Sequence, residues 1–236
     1  QVTVLPNNSS PIAGFTYPDP VYIGDTINIE STATDPDGDP LQYTYEIKKP
    51  NGELLTIQTG NPILASNGNL SIRADQHPSD LGKWEITQTV NDGKEQATAT
   101  GQLTVLDQVV DGLVNHTAAW EDNRQKYNLS VSGNVNEPRE SFVFFPGEKF
   151  MLNAAATSTA IQVNVTIDEY PQFSTNLQLE NGQWVGNLWH RDMIEMFKNE
   201  TLNFRFNAIY QNGWTSEDVE PILIIDDKYW REHSTY

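Results

Sequence analysis

Leu41, Tyr43, Tyr45 and Ile47 are apolar or aromatic, and Gln42, Thr44 and Glu46 between them are polar. Successive side chains of an extended strand point to opposite faces, so a period of two gathers those four residues on one buried face. The run Gly82 to Val90 reads in the same way, and Val21 to Glu30 alternates after the turn Pro18-Asp19-Pro20. Turn signals such as Asn51-Gly52, Asn91-Asp92-Gly93, Asn181-Gly182 and Asn212-Gly213 punctuate these runs. Short alternating strands separated by turns at a spacing of roughly 8–12 residues predict an all-β chain built as sandwiches.

The chain has 236 residues, enough for two sandwiches of about 100 residues each. Gln1-Val2-Thr3-Val4-Leu5 returns almost unchanged as Gln102-Leu103-Thr104-Val105-Leu106. The second copy closes a domain, and the first is followed by the turn-rich Pro6-Asn7-Asn8-Ser9-Ser10-Pro11. Residues 1–5 are therefore expected to be a tether or the last strand of a preceding repeat. A first sandwich is expected over 6–107 and a second over 108–236. Because Gln1 is not an initiator Met, the chain is read as cut from a longer one.

In the second domain, strands are expected at 127–131, 149–155, 161–167, 176–179, 183–188, 202–210 and 222–225. Met193, Ile194, Met196 and Phe197 break the period of two and predict one short helix near Met193 to Phe197, crossing between sheets.

Thirty-two acidic residues against 14 basic ones give a formal charge of −18. That field repels phosphate backbones and anionic lipid, so nucleic-acid binding and direct membrane insertion are not expected. With no cysteine, disulfides, thiol catalysis and cysteine-built zinc sites are excluded.

The run Thr32-Ala33-Thr34-Asp35-Pro36-Asp37-Gly38-Asp39-Pro40-Leu41-Gln42-Tyr43-Thr44-Tyr45 resembles PKD-like and bacterial cadherin-like repeats. Pro11-Ile12-Ala13, Gly24-Asp25-Thr26 and Val90-Asn91-Asp92-Gly93 fit the same pattern over residues 6–106. The sequence departs from it at Tyr45, where PKD domains favour Trp, and lacks their DFGDG segment. The resemblance implies an immunoglobulin-like sandwich serving as an adhesive or spacer module. Residues 108–236 resemble no recognised family, and their strand pattern predicts a second immunoglobulin-like sandwich.

Asp35, Asp37 and Asp39 stand at i, i+2 and i+4 around Gly38. Hard carboxylate oxygens on a flexible loop suit Ca²⁺. An EF-hand is excluded because Pro40 falls where that loop needs glycine. In related repeats the loop meets the Asp92 turn at one pole, so Asp92 is expected to complete the shell. The alternative is a plain turn, for which Asp is equally suited.

His190-Arg191-Asp192 lacks the companions of a kinase catalytic loop, and no hydrolase or nucleotide motif occurs. Trp189 and Trp214, the latter beside the Asn212-Gly213 tip, are candidate stacking rings for sugar, while Trp84 is expected in the core. The function expected is a non-catalytic structural or adhesive module of a secreted, extracellular or cell-wall bacterial protein, spacing or displaying other domains. The alternative is a carbohydrate-binding accessory region in the second domain. Expected partners are neighbouring domains of the same chain and a cell-surface glycan or protein.

Overall fold

A computed structural model describes residues 8–116, 142–144 and 146–225, and the chain divides into two compact units at Asp107/Gln108. Both are all-β.

The first unit contains β1 (Phe15–Thr16), β2 (Val21–Tyr22), β3 (Thr26–Ser31), β4 (Gln42–Lys48), β5 (Leu54–Gln58), β6 (Leu70–Arg73), β7 (Gly82–Asn91) and β8 (Gln96–Leu106). One sheet has the order β1-β3-β6 and the other β2-β8-β7-β4-β5. The short β2 lies parallel to β8, with Val21 opposite Val105 and Tyr22 opposite Leu106.

The second unit repeats the plan. It contains β9 (Val110–Asn115), β10 (Val143–Phe144), β11 (Phe150–Ala156), β12 (Ala160–Ile167), β13 (Tyr170–Asn176), β14 (Gln178–Glu180), β15 (Gln183–Leu188), β16 (Glu200–Tyr210) and β17 (Thr215–Ile224). The sheets are β14-β15-β11-β9 and β10-β17-β16-β12-β13, and β10 lies parallel to β17. Strand for strand this is the order of the first unit with one added edge strand, the immunoglobulin-like two-sheet arrangement. The expected strand 127–131 lies outside the described residues.

The expected helix is a single turn, α1 (Met193–Met196), between β15 of one sheet and β16 of the other. Its Met193 and the following Phe197 are both fully buried. Phe197 plugs the end of the sandwich, with ring centroids 5.0 Å from Tyr170, 5.7 Å from Phe173 and 6.4 Å from Phe150.

Polar groups also join the sheets of the first unit. Gln88 on β7 is fully buried. Its Oε1 accepts from the Gly14 amide at 2.9 Å, and its Nε2 donates to Ser31 Oγ at 3.0 Å and to the Tyr45 hydroxyl at 2.6 Å. Tyr45 in turn donates to Gly68 O at 2.9 Å. Every polar atom of this cross-sheet chain is matched, which is the condition under which buried amides do not destabilise.

At the corner before β7, Trp84 is fully buried and its indole Nε1 donates to Asp80 O at 2.7 Å. This is the fastening that a tyrosine supplies at the same corner of many such sandwiches. Lys49, at the end of β4, places Nζ 2.8 Å from Asp80 Oδ1 and 5.1 Å from the centre of the Trp84 ring.

Gln88→Leu leaves the half-buried Gly14 amide without its acceptor and an apolar side chain facing the Tyr45 hydroxyl, and should cost about 1–3 kcal/mol of first-unit stability in urea unfolding. In the second unit, Gly112 lets the Phe206 ring lie against bare backbone, so an added Cβ would enter the ring. Gly112→Ala should cost about 1–3 kcal/mol there, read as a lower urea midpoint for that unit.

Candidate functional site

The loop between β3 and β4 and the turn between β7 and β8 share one end of the first sandwich, and the four aspartates expected there are brought together. Their oxygens are largely occupied by the protein itself. Asp35 Oδ1 accepts the amides of Asp37 at 2.8 Å and Asp39 at 3.1 Å, which shapes the loop around Gly38 at φ +79°. Asp37 accepts from the Ser9 amide at 2.6 Å and its hydroxyl at 3.3 Å. Asp92 Oδ1 accepts the amides of Lys94 and Glu95, both at 2.6 Å, and Oδ2 accepts from Asn8 Nδ2 at 2.8 Å.

The sequence pattern does not single out Lys94, yet it supplies the cation at this pole. Its Nζ lies 3.1 Å from Asp39 Oδ2 and donates to Asn8 Oδ1 at 2.9 Å. Asn8, Ser9 and Ser10 are equally hidden, because nothing local in a turn-rich linker reveals what it docks against. Ser10 donates to Glu95, so three consecutive residues entering the domain are fastened to its loops. The amide of Glu95, the Asn8 side chain and the amide of Lys94 hold the Asp92 carboxyl at about 2. The hydrogen bond from Lys94 to Asp39 raises the lysine above its ordinary value.

Among the described residues no three His, Asp or Glu side chains are arranged to hold a metal ion. Asp35 Oδ2 is the pole's buried carboxylate oxygen without a hydrogen bond. The Lys94 ammonium stands beside Asp39, where it would compete with any added cation. The matching loop of the second unit, Thr157-Ser158-Thr159, carries no carboxylate and so has no counterpart of Asp35, Asp37 and Asp39.

Trp189 and Trp214 lie at opposite ends of the second sandwich. Trp189 follows Leu188, which pairs with Phe150 at the start of β11. Trp214 lies beyond Tyr210, which pairs with Ala160 just past the end of β11. The two rings cannot form one stacking platform. Trp214 is half-buried and packs on the core, its amide turned onto Asn212 Oδ1 at 2.9 Å. Trp189 is 50% exposed, and its Nε1 donates to Gly147 O at 3.0 Å, which fixes the ring's orientation. Trp184 is buried beneath β15, whereas Trp120 and Trp230 lie outside the described residues. His190-Arg191-Asp192 forms the turn into α1, with the Asp192 amide donating to His190 Nδ1 at 3.2 Å.

No family model and no curated protein matches this chain. Solved structures that resemble it include a tetra-tandem repeat from the extending region of a large adhesion protein. That match has 13% identity and TM-score 0.31, and covers 91% of this chain and 48% of the other. An endo-fucoidan hydrolase of glycoside hydrolase family 107 matches at 14% identity and TM-score 0.30, covering 95% of this chain and 30% of the other. The four N-terminal Ig domains of a Dscam1 isoform match at 10% identity and TM-score 0.28, covering 91% and 51%. The chain thus spans about half or less of these structures. At such scores they add nothing to the fold read from the strand pairing.

Two measurements probe the pole. A carboxyl held below its ordinary 3.8 contributes stability that is complete above that value and is lost as pH falls toward about 2. The melting-temperature difference between wild type and Asp92→Ala should therefore be constant down to about pH 5 and shrink below it. Any calcium-dependent rise in melting temperature, measured against chelator, should be larger in Lys94→Ala than in wild type, because the competing ammonium is gone. No rise in either protein ends the calcium expectation.

Proposed function

We propose that this chain is a non-catalytic structural and adhesive module of a secreted or cell-surface bacterial protein, spacing or displaying other domains. The observation that carries this reading is the parallel pairing, in each unit, of the last strand with the second. β2 lies parallel to β8, and the Ile23 amide extends the ladder to Leu106 O at 2.8 Å. β10 lies parallel to β17, and the amides of Leu223 and Ile225 donate to Phe142 O and Phe144 O, each at 2.9 Å. Tension that reaches the second and the last strand of a unit from opposite directions loads their parallel hydrogen bonds in shear, all at once. Antiparallel ends would instead be peeled one bond at a time. A module built to bear tension benefits from the first geometry, and both units have it.

The fastening of Asn8, Ser9 and Ser10 to Asp92, Asp37 and Glu95 fits the same role, since an incoming tether held at three points transmits load into the domain. The PKD-like or cadherin-like resemblance of residues 6–106 agrees with an extracellular setting. No helix among the described residues is long and apolar enough to cross a membrane.

Single-molecule stretching from both ends should give two separate unfolding events, each at a force typical of shear-loaded domains. Extension without a resolved barrier in either unit would contradict the load-bearing role.

Carbohydrate binding by the second unit is the other reading, and the exposed, orientation-fixed ring of Trp189 favours it. Retention on an insoluble polysaccharide that Trp189→Ala abolishes and Trp214→Ala leaves intact would establish it. Retention of neither wild type nor variants removes it.

A further inference from the structure

Beneath the Trp84 corner an amine and a carboxylate are pressed together away from water. Lys49 is 7% exposed and Asp80 is 0% exposed, and Nζ lies 2.8 Å from Oδ1. The nitrogen is thus in direct contact with the carboxyl group, in a geometry that leaves Oδ1 without a regular hydrogen bond. A third group completes the arrangement: Glu53 Oε2 lies 3.4 Å from the same Nζ. The other Asp80 oxygen, Oδ2, accepts the Gln76 amide at 3.0 Å.

From this juxtaposition we propose that Lys49 and Asp80 condense spontaneously into an intramolecular amide, with Glu53 as the proton carrier. The step needs no external reagent. The Lys49 ammonium gives one proton to Glu53, and the freed lone pair attacks Cγ of Asp80. Negative charge developing on Oδ2 meets the Gln76 N–H, a fixed donor of the kind that stabilises tetrahedral intermediates. Oδ1 takes the proton returned by Glu53 and a second from the attacking nitrogen. It leaves as water, and the C–O bond is replaced by a C–N bond. One amide and one water replace one ammonium and one carboxylate.

Enclosure favours the product. A buried ion pair bears the cost of two desolvated charges, whereas an amide bears none. Holding nucleophile and carbonyl in contact removes the entropic barrier of bringing them together. The opposing factor is the proton. Burial lowers the pKa of Lys49, but Asp80 and Glu53 raise it more, so the ammonium is the resting form and the condensation is a slow, single event per chain. In a unit without cysteine, the product would tie the end of β4 to the loop entering β7, where Lys48 already pairs with Glu85.

Intact mass spectrometry of the purified chain decides. The expected wild-type mass is one water below that of the sequence, with a branched peptide joining Lys49 to Asp80. Asp80→Ala and Lys49→Met should have the full sequence mass. Glu53→Gln removes a partly exposed side chain, should fold normally, and should be mostly unlinked, gaining linkage slowly on incubation. A wild-type mass equal to that of the sequence overturns the proposal, whatever the variants do. A fully linked Glu53→Gln overturns the proton-carrying role of Glu53.

Discussion

No disulfide can join the two sheets of either sandwich, so the space between them must be closed by packing. The inward residues of both units show how this is met. In the second unit Phe150 on β11 reaches across to Phe144 at 4.9 Å and Phe204 at 4.8 Å between ring centroids, tilted as aromatic pairs prefer. Each such ring removed from water contributes about 1.5–3 kcal/mol. In the first unit the cross-sheet role is divided among Trp84, Tyr45 and the matched polar chain through Gln88. The strand ladders, hairpins and loop positions depend on that closure, because neither sheet has another apolar partner for its inner face.

The same plan twice, with different loops, separates what the fold requires from what it carries. Inner faces alternate in both units, but where one unit carries Asp35, Asp37, Asp39 and Asp92 the matching loops of the other are Thr157-Ser158-Thr159 and Gln211-Asn212-Gly213-Trp214. Function in such sandwiches resides in the loops and exposed faces, and strand order alone does not assign it.

Strands with apolar residues at every second position are legible in the sequence, including β4, β7, β12, β15 and β16. The helical turn is legible too, since Met193, Ile194, Met196 and Phe197 cannot share one face of a strand. The first half of β17 is hidden because Ser216, Asp218 and Glu220 occupy one set of alternate positions and Val219 is the single apolar residue over Thr215–Glu220. β13 is hidden by Pro171 and by the polar run after Phe173. At the pole, the spacing of the aspartates is readable, but the side chains that satisfy them are not. Asn8 and Lys94 stand 84 and 55 residues from the groups they bind, and no local pattern encodes such a meeting. Asp80 and Lys49 are hidden for the same reason. Trp214 does stand beside its hairpin tip, but its ring folds back onto the core instead of standing clear.

Native-state hydrogen exchange tests most directly whether cross-sheet packing holds each unit. Amides of β7 and β16, central strands whose inner side chains face the opposite sheet, should exchange only through global unfolding and be the slowest in their units. The short β1, β2 and β14 should open locally and exchange sooner. If β7 and β16 exchange as fast as those edges, or if the slowest amides gather at the acidic pole, then loops hold the sandwiches together and packing between the sheets does not.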